Sequence, residues 1–256
     1  MRFFELLLAY WPALMQGFGM TLLLVSASIV AGFALSVPIA LAVQSRSGWL
    51  RIPCEGFIFF FRGTPLLVQM FIVYYGLSQF SDIKDSFLWK GFLESPFWCG
   101  AIALSLNAAA YMSVILRGGM LAVPSGQIEA ARAYGMPPHL RLRRVILPQA
   151  FRIALPSYSN EIILLIKGSA LASTITLMEL TGTTRTLIAQ TYTPIAFYAM
   201  AAVLYLVLNL SVSQVFRALE RWLTPWQSAK PAAARGSKPL TPYAVHTGIV
   251  HVSRPN

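Results

Sequence analysis

Apolar residues run along this chain in long charge-free blocks rather than in alternation. No charge occurs between Glu5 and Arg46, and residues 17–43 read GFGMTLLLVSASIVAGFALSVPIALAV. A helix needs about 20 largely apolar residues to cross a bilayer, so this block predicts a first span. The same test predicts spans over 54–80, 95–116, 153–178 and 194–216. Two of these carry charge: Glu55 and Arg62 lie in the first turns of 54–80, and Glu161 and Lys167 lie within 153–178. Membrane barrel strands alternate apolar and polar residues over about ten positions. These continuous Leu-, Ala- and Ile-rich runs do not. The expected fold is all-α, a membrane protein of five transmembrane helices with a large loop over 117–152. The membrane domain is expected to cover 17–224. Residues 1–16 lack the basic start and small-residue cleavage site of a signal peptide, and are expected to form an interfacial lead-in helix. Residues 225–256, rich in Pro, Ala, Ser and Lys, read as a disordered tail.

Composition supports a membrane class. Hydrophobic residues make up 56% and charged residues 11% of the 256, against about 25% charged in soluble domains. The net charge of +11 is unevenly placed. The first loop holds Arg46 and Arg51, the loop 117–152 holds six arginines against Glu129, and the tail from Arg217 holds six basic residues against Glu220. The loops between these are neutral or slightly acidic, with Glu179 and Arg185 cancelling in one of them. Basic loops stay cytoplasmic. The expected orientation is therefore N-terminus periplasmic and C-terminus cytoplasmic, in a bacterial inner membrane. The surplus marks orientation and implies no nucleic-acid partner. Cys54 and Cys99 fall near opposite ends of adjacent spans, too far apart for a disulfide.

The loop 117–152 reads as an element for another protein. Ser125 can cap a short helix, Gly135 suits the left-handed residue that ends it, and Pro137-Pro138 turn the chain into a second basic helix ending before Pro148. A solvated basic loop, or a helix lying on anionic lipid, fits the same residues. A DNA-reading helix-turn-helix does not, because the flanking spans hold the loop at the bilayer surface.

Glu129-Ala130-Ala131, three residues, Gly135, nine residues, then Val145-Ile146-Leu147-Pro148 resembles the EAA loop of ABC-importer permeases, with Val145 where Ile is usual. Phe61-Arg62-Gly63-Thr64-Pro65-Leu66-Leu67-Val68-Gln69 is similar to a signature of polar amino-acid permeases. Ala110-Tyr111 with Arg117-Gly118-Gly119 also matches that group, and Arg152 to Glu161 is close to permeases for histidine, other basic amino acids and opines. The resemblance covers roughly residues 12–224. It implies a permease subunit of a type I ABC importer, moving a basic amino acid or opine. The implied partners are a pair of ATPase subunits, a second permease subunit and a periplasmic binding protein. In this resemblance Glu129, Ala130, Ala131 and Gly135 would couple the permease to the ATPase. Related permeases often carry Glu where this chain has Val114, which favours a heterodimer whose other permease supplies it. A membrane scaffold that recruits a cytoplasmic protein, without a transport path, is the alternative.

The residues themselves support partners. No phosphate-cradling GxxxxGK[ST] occurs, so ATP hydrolysis needs another chain. No carboxylate pair, nucleophile–base pair or metal spacing suggests catalysis, a metal or a cofactor. An ionisable side chain in a span costs about 2.5 kcal/mol or more at the bilayer centre, so Glu161 and Lys167 need a purpose. They sit about 120° apart around a helix and are no i,i+4 pair. Asn160 and Lys167, seven apart, share one face. Gly168-Ser169-Ala170 permits close approach or a break at which backbone groups can bind substrate. Packing pairs explain these residues as well as a substrate path does. Thr64-Pro65 is a second path candidate, since Pro65 frees a carbonyl that needs another donor; a plain kink is the competing reading.

Overall fold

A computed structural model describes residues 3–87 and 89–223. The tail expected over 225–256 lies outside the described residues. In chain order the α-helices are α1 (Phe3–Val43), α2 (Gly48–Gly63), α3 (Leu66–Phe71), α4 (Ser81–Lys84) and α5 (Pro96–Leu121). They continue as α6 (Ser125–Ala133), α7 (Pro138–Arg141), α8 (Leu147–Ser169), α9 (Leu180–Thr191) and α10 (Pro194–Leu223). Three of these, within α1, α5 and α10, are each long and apolar enough to cross a membrane. Two further spans arise only if each of two bent pairs counts as one crossing.

The first break divides the expected span 54–80. The axis turns by 107° between Gly48–Gly63 and Leu66–Gln79, because Pro65 has no N–H to continue the ladder and pushes Thr64 into extended backbone. The second divides the region after 153. Here α8 ends at Ser169, a 3₁₀ segment runs over Ala170–Ile175, and the chain resumes as α9 with a 50° bend. The lead-in over 1–16 and the span over 17–43 are one helix as far as they are described: α1 runs from Phe3 to Val43 through Pro12 and Pro38.

Helix α5 sits at the centre, packed between α1 and α8. Its core positions are small: Ala101, Ala103, Ala108, Ala109 and Ala110 are all buried. Lipid supplies no hydrophobic force between helices, so close backbone approach through small residues is what holds such a bundle. The tightest point is Gly119, where an added Cβ would lie 2.5 Å from the Ala150 carbonyl oxygen of α8. Backbone cannot move aside as a side-chain tip can. Gly119→Val is expected to cost about 1–3 kcal/mol and to lower the thermal midpoint of the detergent-purified protein. Gly56→Val, with nothing within 4 Å of its Cβ position, is the control. On the outside, α1 and α10 expose Leu23, Val30, Val203 and Leu206, as a bilayer-facing surface would.

Candidate functional site

The Thr64–Pro65 break frees the Phe61 carbonyl, which Pro65 cannot satisfy. Two amide side chains supply the donors. Gln69 Nε2 donates to Phe61 O at 2.9 Å and to Thr64 O at 3.0 Å, and it also reaches Thr64 Oγ1 at 2.8 Å. From α5, Asn107 Nδ2 donates to Phe61 O at 3.2 Å and to Gln69 Oε1 at 3.0 Å. Gln69 and Asn107 are both buried. The break is thus a built feature with its polar groups accounted for, rather than a plain kink.

This network forms one wall of a cavity of about 290 Å³. Thr64, Pro65 and Leu66 line it from the break, Asn107 and Tyr111 from α5, and Glu161 with Leu164 and Leu165 from α8. Glu161 is 7% exposed, and among the described residues its carboxylate makes no hydrogen bond or ion pair within 4 Å. The Arg62 guanidinium stands over the Tyr111 ring, 5.1 Å from its centroid, and its charge acts on Glu161. Arg62 therefore does not pair with Glu55, which faces Arg51 at 3.8 Å. The cavity presents a carboxylate, an amide and the Tyr111 side chain in an apolar frame, with Arg62 already over one face of the Tyr111 ring. The carboxylate and the polar side chains beside it suit a small polar cation.

The expected path residues divide into three groups. Thr64, Pro65 and Glu161 meet in the cavity. Asn160 and Lys167 are exposed on a neighbouring face of α8. Ser169 is buried, its hydroxyl donating to Ile166 O at 2.7 Å, and does not line the cavity. Asn107, Tyr111 and Gln69 are the members that hydropathy alone passes over. A polar residue inside a charge-free span was the available signal for Asn107.

Glu179 is a correction to the charge assignment. Expected in an outer loop opposite Arg185, it is instead fully buried. It caps α9, accepting from Thr181 N at 2.9 Å and Gly182 N at 2.8 Å. Tyr205 of α10 donates to it at 2.9 Å and Thr21 of α1 at 3.4 Å. One carboxylate therefore joins three helices where α9 begins.

The loop helix α6 starts one residue earlier than a Ser125 cap requires. Pro124 takes the cap position and Ser125 is the first helical residue, with no side-chain cap bond. The far end closes as expected at Gly135, whose φ is +71°. Met136 N donates to Ala131 O at 3.0 Å and Gly135 N to Arg132 O at 2.9 Å, the paired bonds of a Schellman motif. Glu129, Ala130 and Gly135 are exposed, as are Arg132 and Tyr134. Ala131 is 6% exposed, so it packs inward and offers no contact to a partner. The second helix does not stop before Pro148. A π-turn over Leu142–Ile146 leads directly from α7 into α8, and Gln149 Nε2 bonds Val145 O at 2.9 Å where the proline interrupts the ladder.

Comparison with known proteins gives consistent matches. Residues 28–225 match the family described as binding-protein-dependent transport system inner membrane component. The chain is 50% identical over 213 residues to the octopine transport system permease protein OccM of Rhizobium meliloti, covering 83% of this chain and 86% of that one. It is 39% identical over 237 residues to the histidine/lysine/arginine/ornithine transport system permease protein HisM of Escherichia coli K12, covering 90% and 98%. Among solved structures, the crystal structure of an amino acid ABC transporter with histidines aligns with a TM-score of 0.77 at 34% identity. The alignment covers 86% of this chain and 98% of that one.

Proposed function

This chain belongs to the family of binding-protein-dependent transport system inner membrane components, and on that premise we propose how it carries its substrate. It is the permease subunit of an ABC importer for an amino acid or opine, a multi-pass inner-membrane protein whose fold matches type I importer permeases. An ATPase and a substrate-binding protein are its partners in transport.

The substrate is a basic amino acid or a basic opine, and it passes the cavity at Glu161. The observation that carries this reading is the buried Glu161 carboxylate, without a hydrogen bond among the described residues, in a cavity bounded by a broken helix. A buried carboxylate without a hydrogen bond is costly; the Arg62 charge acts on it, and a transported cation would offset more of that cost while bound. Thr64, Pro65 and Asn107 frame the cavity, and Asn160 and Lys167 flank it. The chain crosses the membrane five times, counting each bent pair as one crossing. The basic loop containing α6 lies in the cytoplasm, with the N-terminus outside. Glu129, Ala130 and Gly135 meet the ATPase, with Tyr134 and Arg132 beside them. The second permease is a different chain, which supplies the acidic group absent at Val114.

Reconstitution with an ATPase, a second permease and a binding protein of the same importer tests this reading. Uptake of arginine, histidine, octopine and nopaline would be measured beside ATP hydrolysis. Uptake of at least one, with stimulated hydrolysis, is expected; uptake of none would sink the substrate assignment. Gly135→Val adds a test of the coupling loop. A valine at φ +71° costs about 1–2 kcal/mol locally. It meets nothing within 4 Å of its Cβ position, so the transmembrane fold should persist. Uptake and stimulated hydrolysis are expected to fall together while ligand binding to the permease is kept.

A further inference from the structure

A second cavity, of about 490 Å³, runs along a different face of α8 from the one that bears Glu161. On α8 it is lined by Phe151, Arg152, Leu155, Tyr158 and Ile162, whose spacing of three and four keeps them in one row. Ile29 and Phe33 of α1, Phe216 and Leu219 of α10, and the buried Met112 of α5 complete most of the lining. The Phe33 ring stands 5.7 Å from that of Phe151 and 5.9 Å from that of Tyr158. The Tyr158 hydroxyl donates to the Met112 carbonyl at 3.4 Å, so its polar end is taken up by α5.

The groove is long, and its charge is at one end. Arg152 is the only charged residue in its described lining. From Arg152 to Ile162 the helix rises about 15 Å, and one leaflet of hydrocarbon, half of a core about 30 Å thick, has the same depth. A neighbouring cavity of about 420 Å³ shares Leu155 and Phe216 and adds Arg217 and Glu220. Arg217 Nε donates to Ser213 O at 3.3 Å, and Arg221 is exposed in the last turn of α10. Three arginines thus stand against one glutamate at this end of α8 and α10. Arg152 also interacts within the chain, but with several N–H donors a guanidinium serves more than one acceptor. A molecule that is only anionic leaves the apolar row unused, and one that is only apolar leaves the arginines unused. An amphiphile with a long chain and an anionic head uses both.

We propose that this groove holds an acyl chain of an anionic phospholipid, whose phosphate meets Arg152 with Arg217 beside it. Basic pockets between membrane helices on the cytoplasmic side hold acidic lipid headgroups, and on the orientation read above this end of α8 faces the cytoplasm. The apolar row contributes by packing, so headgroup charge sets which lipid is kept. The lipid joins α1, α8 and α10, and its site is independent of which substrate is carried.

Lipid retention by the complete importer tests the site. The complex, stripped of loosely held lipid, would be offered equal amounts of phosphatidylglycerol and phosphatidylethanolamine, and native mass spectrometry would count what is kept. Phosphatidylglycerol should be retained about tenfold or more over phosphatidylethanolamine, the size of one charge-assisted contact. Arg152→Gln should remove that preference and Arg152→Lys keep most of it. Leu155→Trp fills the groove without altering charge and should lower retained phosphatidylglycerol by a similar factor. Leu23→Trp, on the exposed face of α1, should not. A photo-crosslinking residue in place of Leu219 identifies the occupant in native membranes, where a phosphatidylglycerol adduct that Arg152→Gln lowers is expected. An adduct to the second permease, or to residues 224–256 of this chain, would overturn the proposal. So would equal retention of the two lipids by the wild type, an Arg152→Gln importer that keeps its preference, or a Leu155→Trp importer that keeps its lipid.

Discussion

Glu161→Gln is expected to reduce uptake of a basic substrate by about 10- to 100-fold, the loss of one charge-assisted contact worth 1.5–3 kcal/mol. Glutamine has nearly the same shape, so the cavity formed with Thr64, Asn107 and Tyr111 should survive. Removing a buried charge with no hydrogen bond among the described residues should leave stability unchanged or slightly raised. The informative result is this opposition: lower transport in a complex that assembles at least as well. A Glu161 needed only for packing would give the reverse. Transport measured in proteoliposomes, beside the thermal midpoint of the same preparation, decides between them. Normal uptake would remove Glu161 from the path.

Glu179→Ala should be the most destabilising single change in the described chain, by about 3–5 kcal/mol. Each buried donor left without an acceptor costs about 1–3 kcal/mol, and loss of the helix cap adds about 0.5–2 kcal/mol. The affected donors are the Thr181 and Gly182 amides and the Tyr205 hydroxyl. Glu179→Gln keeps one carbonyl acceptor and should lose roughly half as much. Tyr205→Phe removes a single partner and should cost least of the three. Thermal unfolding in detergent would rank the variants. If Glu179→Ala unfolds at the wild-type temperature, the three-helix junction does not hold α9 in place.

The apolar blocks were legible because the bilayer requires long runs of apolar residues, and α1, α5 and α10 lie where those runs are. The broken spans were only half legible. Pro65 announced a freed carbonyl, but nothing local announced that Gln69 and Asn107 would satisfy it. One donor lies five to eight residues along the chain, and the other is on a different helix. Glu179 misled for the opposite reason. A glutamate beside a turn normally seeks water, and beyond the local Thr181 and Gly182 amides its burial rests on the Thr21 and Tyr205 hydroxyls, 158 and 26 residues away.

The loop shows the same division within nine residues. Its helix and the glycine that ends it follow from backbone preferences, since glycine occupies the left-handed region without a Cβ clash. Which alanine faces outward does not. Ala130 and Ala131 are chemically identical neighbours, and only packing against the rest of the chain buries the second. Hydropathy, charge asymmetry and motif spacing by themselves determined the class, the membrane-spanning blocks and the family resemblance, because each is a sum over many residues or a local backbone rule. The tertiary structure alone decided which polar residues meet: Glu161 with Thr64, Asn107 and Tyr111, apart from Asn160 and Ser169, and Glu179 with Thr21 and Tyr205. In a medium without water, a polar group is set by the partner that reaches it, and that partner is rarely a neighbour in sequence.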